Sequence, residues 1–283
     1  MKKNLLNILK DNSVKFSKAQ RQVGDYILKN PLEASFITLE TLSSEIGTST
    51  TTIMRFCTKL GYNGYSELQK DLQALVKERI APHNRLKANI RTIKSETLFD
   101  QCAQKFIENV SNTQALISEE TCNEIVNTVL AANKIYMLGA RTSHTVSYFL
   151  YHGLIQLLGN CQLVDPVSAL DQFASIQEGD LIIVISLPRY ASSTISLIKT
   201  VKAQVPAVKV ICITDSYQAP IAMYSDIVIP CQYASLSFHN SMSSALFIAD
   251  YIVTAVAMTK QSESTERLTK LEGFFKELNF HID

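Results

Sequence analysis

Between Lys134 and Pro230, short apolar runs alternate with longer amphipathic stretches, and this restricts the fold more than any other feature of the chain. Lys134–Leu138 (KIYML) reads as a strand, followed by a polar loop and a helix running through Leu158. Cys161–Val164 reads as a second strand, and a helix is expected over Asp171–Gln177. Leu181–Ile185 (LIIVI) has no polar position, so both of its faces must be covered and it belongs at the centre of a sheet. Val208–Ile213 (VKVICI) and Asp226–Pro230 complete the set, with a helix to Gln204 between the third and fourth strands. Strand, loop and helix in repetition give a parallel sheet with right-handed crossovers, covered by helices on both faces as an α/β three-layer sandwich.

Ligands bind such sheets at the carboxyl ends of the strands. Three of those ends are rich in hydroxyls: Arg141-Thr142-Ser143, the loop Ser186 through Ser193, and Thr214. A helix start offers free N–H groups and a partial positive charge, which suit a phosphate. Hydroxyls add donors, and Arg141 or Arg189 can neutralise an anion. The candidate ligand-binding residues are therefore Arg141, Thr142, Ser143, Ser186, Arg189, Ser192 and Ser193. Serine and threonine also cap helices with no ligand present, and that reading stands beside the first.

The N-terminal part has a different period. In Thr38–Gly61 (TLETLSSEIGTSTTTIMRFCTKLG), Leu39, Leu42 and Ile46 mark one face of a short helix. Gly47 supplies a break, because glycine takes a positive φ without steric penalty. Thr48 or Ser49 can cap a second helix, whose apolar face is Ile53, Phe56 and Leu60 and whose end is Gly61. Thr50, Thr51, Arg55, Thr58 and Lys59 are left facing outward. Hydroxyls and positive charge on one helix face suit a DNA groove, where Arg bonds guanine, Thr touches a base or methyl and Lys reaches phosphate. Ser49, Thr50, Thr51, Arg55 and Lys59 are the candidate DNA-binding residues. An ordinary solvated helical hairpin is the alternative.

Flanking segments fit an all-α bundle over residues 1–77. A helix capped by Ser17 carries Val23, Tyr26 and Ile27 and is stopped by Pro31, and another follows the turn Tyr62-Asn-Gly-Tyr65. Its expected core is Ile27, Leu42, Ile46, Ile53, Phe56, Leu60 and Leu68. Residues 78–98, with Pro82, five basic and two acidic side chains, read as a linker, helical in its second half. Asp100–Leu116 and Ser118–Ala131 read as amphipathic helices.

The total charge of +1 conceals an asymmetry. Residues 1–80 hold twelve basic and eight acidic side chains, and the remainder fifteen and eighteen. A basic head on a mildly acidic body fits nucleic-acid binding by the head alone. The six cysteines form no CxxC pair and have no histidine at metal-ligand spacing, which points to reduced core thiols without a structural metal. No run approaches the roughly 20 apolar residues of a membrane span, and the N-terminus lacks the pattern of an export signal. The sequence predicts a cytoplasmic protein with no cofactor.

The segment SKAQRQVGDYILKNPLEASFITLETLSSEIGTSTTTIMRFCTKLGYNGYSELQ resembles the N-terminal helix-turn-helix domain of RpiR/MurR-type bacterial transcriptional regulators. Its markers are the helix ending in Lys-Asn-Pro, Ser49-x-x-Thr52, Arg55-Phe-Cys57 and, most specific, the run Lys59 to Leu68. Residues from about Glu124 to Lys260 resemble the sugar isomerase (SIS) domain, the usual partner of that head. Gly139-Ala-Arg-Thr-Ser143 stands where that family has Gly-x-Gly-x-Ser. Leu181 to Ser186 stands where it has the strand before Ser-x-Ser-Gly-x-Thr, and Ile211 to Pro220 matches its Ile-Thr-Asp and later Pro. The resemblance implies sugar-phosphate binding with Ser143 and Ser186 on the ligand. The chain departs from the pattern at Pro188, Arg189 and Ala191, which replace Ser, Gly and Thr.

Together these readings predict a transcription factor controlled by a phosphorylated sugar, governing carbohydrate metabolism genes. Residues 1–77 form the helix-turn-helix domain, 78–98 the linker, and 99–283 the SIS-like domain that binds the sugar and dimerises. The partners are a double-stranded DNA operator, a phosphorylated sugar and a second copy of the chain in a homodimer or larger assembly, with no membrane. Asn240–Lys260 and Thr265–Leu278 are the candidate interface. Two alternatives stay open. A sugar-phosphate isomerase would need a base, for which His144 and His239 are the candidates. A dimeric regulator with a vestigial sugar site would explain the loop departures.

Overall fold

The computed structural model describes residues 16–280 except 80, 92 and 94, together with Leu5 and Leu9. It divides into two compact units between residues 92 and 93. The helicity expected for residues 1–15 lies outside the described residues except at Leu5 and Leu9, both helical.

The first unit is all helical: α1 Lys18–Lys29, α2 Pro31–Ala34, α3 Leu39–Ile46, α4 Thr50–Lys59, α5 Tyr65–Arg79 and α6 Pro82–Ile90. Helix α1 begins with a reciprocal cap, in which Gln20 N donates to Ser17 Oγ at 3.3 Å and Ser17 N donates to Gln20 Oε1 at 3.1 Å. Val23, Ile27, Leu42, Ile53, Phe56, Cys57, Leu68 and Leu72 form the buried centre. Burial of one such large side chain contributes about 1.5–3 kcal/mol. Ile46 and Leu60, expected in that centre, are half-buried at its edge, since each falls in the last turn or cap of its helix. The hydroxyl of Tyr65 donates to Ile37 O at 3.0 Å and Gln69 Nε2 donates to the same oxygen at 2.7 Å. Helix α5 thereby satisfies carbonyls of the turn that leads into α3.

The second unit holds α7 Leu98–Gln114, α8 Glu119–Ala131, β1 Ile135–Gly139, α9 Ser143–Leu157, β2 Cys161–Leu163, α10 Ala169–Phe173, β3 Leu181–Ile185, α11 Ser192–Gln204, β4 Lys209–Thr214, β5 Ile227–Pro230, α12 Ser243–Thr259 and α13 Gln261–Glu277. The strands form one parallel sheet in the order β2-β1-β3-β4-β5. Side chains alternate between the two faces of a strand. Ile135, Met137, Ile183, Ile185, Ile211 and Ile213 pack in one cluster with residues of α8, α9 and α12. Tyr136, Leu138, Ile182, Val184, Val210 and Cys212 pack in another with residues of α10 and α11. The result is the three-layer α/β sandwich expected, with β3 covered on both faces.

Local boundaries differ from the sequence reading in three places. Pro82 begins a helix instead of breaking one, because its missing N–H falls at a position where no helical partner exists. The helix in that stretch is therefore Pro82–Ile90 and not in the second half of residues 78–98. The helix expected at Asp171–Gln177 is Ala169–Phe173, and the last helix starts at Gln261, earlier than Thr265. All six cysteines are free thiols. Cys57, Cys212 and Cys231 are core residues as expected, whereas Cys102 is exposed. Among the described residues no helix is long and apolar enough to cross a membrane, and no cluster of His, Cys, Asp and Glu could hold a metal ion.

Candidate functional site

In the first unit, Gly47 closes α3 at φ +69° and Thr48 N donates back to Ser43 O at 3.0 Å. Ser49 then caps α4, its Oγ accepting from Thr52 N at 3.2 Å. That hydroxyl therefore terminates the helix. At the other end Tyr62 N donates to Cys57 O and Gly61 N donates to Thr58 O, each at 3.0 Å, with Gly61 at φ +87°. This pair of bonds is the Schellman termination, which needs a residue at positive φ. Thr51, Arg55 and Lys59 are exposed and follow one another at a spacing of four, so they form one stripe. Thr50 is half-buried beside them. The ammonium of Lys59 lies 5.6 Å from the ring centroid of Phe16. Thr58 is exposed, but its hydroxyl donates to Met54 O at 3.1 Å.

In the second unit the strand order reverses between β1 and β3, the place where an open parallel sheet leaves a crevice. Gly139 ends β1 opposite Ile185 of β3. A Cβ at Gly139 would lie 2.5 Å from Ser143 O and 2.6 Å from Ser147 Oγ, so only glycine lets α9 seat so close to the strand end. Thr142 precedes α9, and Ser143 is its first residue and is buried. Ser186 directly follows β3, is also buried, and donates its N–H to Ile213 O at 3.0 Å. Ser192 and Ser193 open α11 and are exposed. Helix α11 has no side-chain cap, since the residue before it is Ala191.

Arg141 and Arg189 are exposed and hold φ of +56° and +67°. These are the two positions at which the SIS pattern has glycine. Each loop thus keeps a left-handed backbone while carrying a guanidinium in place of a hydrogen atom. The left-handed region costs a non-glycine residue about 1–2 kcal/mol.

The sequence did not single out the network that ties these loops together. Thr214 Oγ1 donates to Ser186 O at 2.7 Å and approaches Asp215 Oδ1 at 3.3 Å. The Tyr190 hydroxyl donates to the same Asp215 oxygen at 2.7 Å. Loss of solvent raises the Asp215 carboxyl above its ordinary value, and the hydrogen bonds from Tyr190 and Thr214 oppose that rise. Burial, followed by the charge of Asp215, pushes the Tyr190 hydroxyl far up. Asn240 Nδ2 donates to Pro188 O at 2.9 Å, which brings the segment before α12 against the β3 loop. His144 lies in the first turn of α9, and His239 beside Asn240 is exposed. A stretch with Asp after a buried strand and Tyr in a preceding loop was the available signal, but nothing in the spacing pairs Tyr190 with Asp215.

Two family models match the chain: the helix-turn-helix domain of the rpiR family over residues 3–78 and the SIS domain over residues 129–257. The regulator HexR of Pseudomonas aeruginosa is 27% identical over 192 residues, 65% of this chain and 64% of that protein, so the match spans just under two thirds of its length. The regulator RpiR of Escherichia coli K12 is 20% identical over 219 residues, 74% of this chain and 70% of that protein. Among solved structures, NanR of Vibrio vulnificus, determined in complex with ManNAc-6P, superposes with a TM-score of 0.66 at 24% identity and covers 97% of this chain and 99% of its own. That likeness shows the shared fold. The curated relatives are regulators, and the chain is classed with them rather than with enzymes that share the SIS fold. With an rpiR-family helix-turn-helix domain followed by a SIS domain, the chain belongs to the RpiR-type transcriptional regulators.

Proposed function

We propose that this regulator is controlled by a phosphorylated sugar bound at the carboxyl ends of β1, β3 and β4, and that it governs genes of carbohydrate metabolism in the cytoplasm. The observation that carries the reading is the meeting of two buried serines, Ser143 and Ser186, with the starts of α9 and α11 where the strand order reverses. Helix N-termini and hydroxyls together make a phosphate site, and the hydroxyls of a sugar find donors and acceptors around it. The complex of NanR with ManNAc-6P supports the same ligand class on a similar fold.

In this reading residues 1–77 bind an operator, residues 78–98 join the domains, and residues 99–283 bind the sugar and pair two copies of the chain. The stripe Thr51, Arg55 and Lys59, with Thr50 and Ser49 at the helix start, contacts DNA. A symmetric pair of heads reads half-sites about 34 Å apart or a multiple of it. Regulation requires that the sugar bind the DNA-competent and DNA-free arrangements with different affinity, since equal affinity shifts nothing. The test is recovery of genomic DNA fragments by the purified protein with and without a pool of sugar phosphates. A narrow set of upstream fragments whose recovery follows the pool supports the reading. Recovery that ignores the pool sinks the control by sugar.

A further inference from the structure

The crevice between β1 and β3 is not the sole recess beside α9. On the other flank of β1, toward β2, lies a cleft of about 400 Å³ lined by Arg141, His144, Leu163, Asp165 and Pro166. It sits at the carboxyl ends of β1 and β2 and shares Arg141 with the loop that opens α9. We infer that this cleft takes a second anionic group of the effector, a carboxylate or second phosphate, so that the ligand is a sugar bearing two separate negative groups. The inference rests on the sugar-phosphate reading above and specifies the ligand further.

Three observations carry it. Nδ1 of His144 is buried and has no hydrogen-bond partner, and an unsatisfied buried donor or acceptor is unfavourable by about 1–3 kcal/mol. A ligand group in the cleft would satisfy it. The guanidinium of Arg141 makes no ion pair with any described residue, although the Asp165 carboxylate lines the same recess. Asp165 is engaged otherwise: Oδ1 accepts from Val167 N at 3.0 Å and Oδ2 from Ser168 Oγ at 3.2 Å. The acid serves its own turn, so the positive charge of Arg141 is left for a ligand. A guanidinium fits a carboxylate or phosphate through two parallel N–H bonds, a geometry that a hydroxyl cannot use.

Because α9 starts over β1, the central strand of the three involved, a ligand held there can reach toward β3 with its phosphate and toward β2 with the second group. Four probes separate the outcomes in titration calorimetry with the full chain: glucose 6-phosphate, 6-phosphogluconate, fructose 1,6-bisphosphate and gluconate. The expected result is that at least one of the two doubly charged probes binds about tenfold or more tightly than glucose 6-phosphate. Which of them does so tells a carboxylate from a second phosphate. Arg141→Gly, which suits the positive φ, and His144→Gln should each bring that ratio to within about threefold. Equal binding of glucose 6-phosphate and both doubly charged probes overturns the inference and leaves the sugar-phosphate reading standing. A preference that survives both substitutions also overturns it, since the second group must then sit elsewhere. Gluconate binding alone, or no binding by any probe, removes the sugar-phosphate reading and this inference with it.

Discussion

The hydroxyl of Tyr190 donates to Oδ1 of Asp215 across 2.7 Å, joining the loop after β3 to the end of β4. Tyr190 adjoins Arg189, so the bond fixes the stretch that carries the guanidinium. Tyr190→Phe removes the donor and leaves a half-buried carboxylate short of one partner. A hydrogen bond to a charged group contributes about 1.5–3 kcal/mol, and a loss of that order is expected in urea unfolding at pH 7. An unchanged midpoint would show that water replaces the hydroxyl at no loss.

Asp215 also gives a pH dependence. Its folded-state carboxyl is raised by loss of solvent, so the folded protein binds that proton more tightly than the unfolded chain does. The stability linked to it is fully present below the ordinary carboxylate value and is lost as pH rises through the folded value. Asp215→Asn keeps an oxygen for Tyr190 and removes the charge. The variant should melt higher than the parent at pH 7, with the difference shrinking as pH falls toward 4. A gap that widens on acidification contradicts this sign.

Gly139 tests the seat of α9. In Gly139→Ala the new methyl would press on Ser143 O and Ser147 Oγ, and overpacking of this kind costs about 1–3 kcal/mol. Thermal unfolding of the variant should show the loss, and ligand affinity should fall with it because Ser143 opens the same helix. Full stability would mean that α9 can move off the strand without penalty.

Arg189 should reveal the opposite trade. Arg189→Gly relieves a left-handed backbone and is expected to stabilise the fold by about 1 kcal/mol while weakening the sugar phosphate. Denaturant unfolding and calorimetry on one preparation read the two effects. A variant that binds as well as the parent would remove Arg189 from the ligand.

On the DNA side, Arg55→Ala should cost roughly 1–3 kcal/mol in specific operator binding at fixed salt if Arg55 reads a base. A uniform loss on all sequences would assign it to phosphate instead, and no loss would free it of DNA altogether.

Much of the fold was legible in particular residues. LIIVI could only be a covered central strand, and Gly47, Ser49 and Gly61 marked the turn, cap and end of the helix pair because each type has one favourable backbone role there. Pro82 misled because proline both ends helices and begins them, and which it does depends on the N–H it lacks. At the candidate site, the loops were visible from their hydroxyls and strand ends, while the Tyr190–Asp215 bond was not. Their 25-residue separation is set by the β3–β4 register, which no local pattern encodes. The cleft beside Arg141 was hidden for the same reason, since Leu163, Asp165 and Pro166 reach it only through the pairing of β2 with β1.

Arg141 and Arg189 keep the backbone of a glycine while presenting a charge. Glycine codons become arginine codons by one base change. A loop already shaped for glycine can therefore acquire or lose a cation in a single mutational step without being rebuilt. Effector choice on such a scaffold can drift by point mutation at two positions while the sheet, the serines and the DNA-reading head stay as they are.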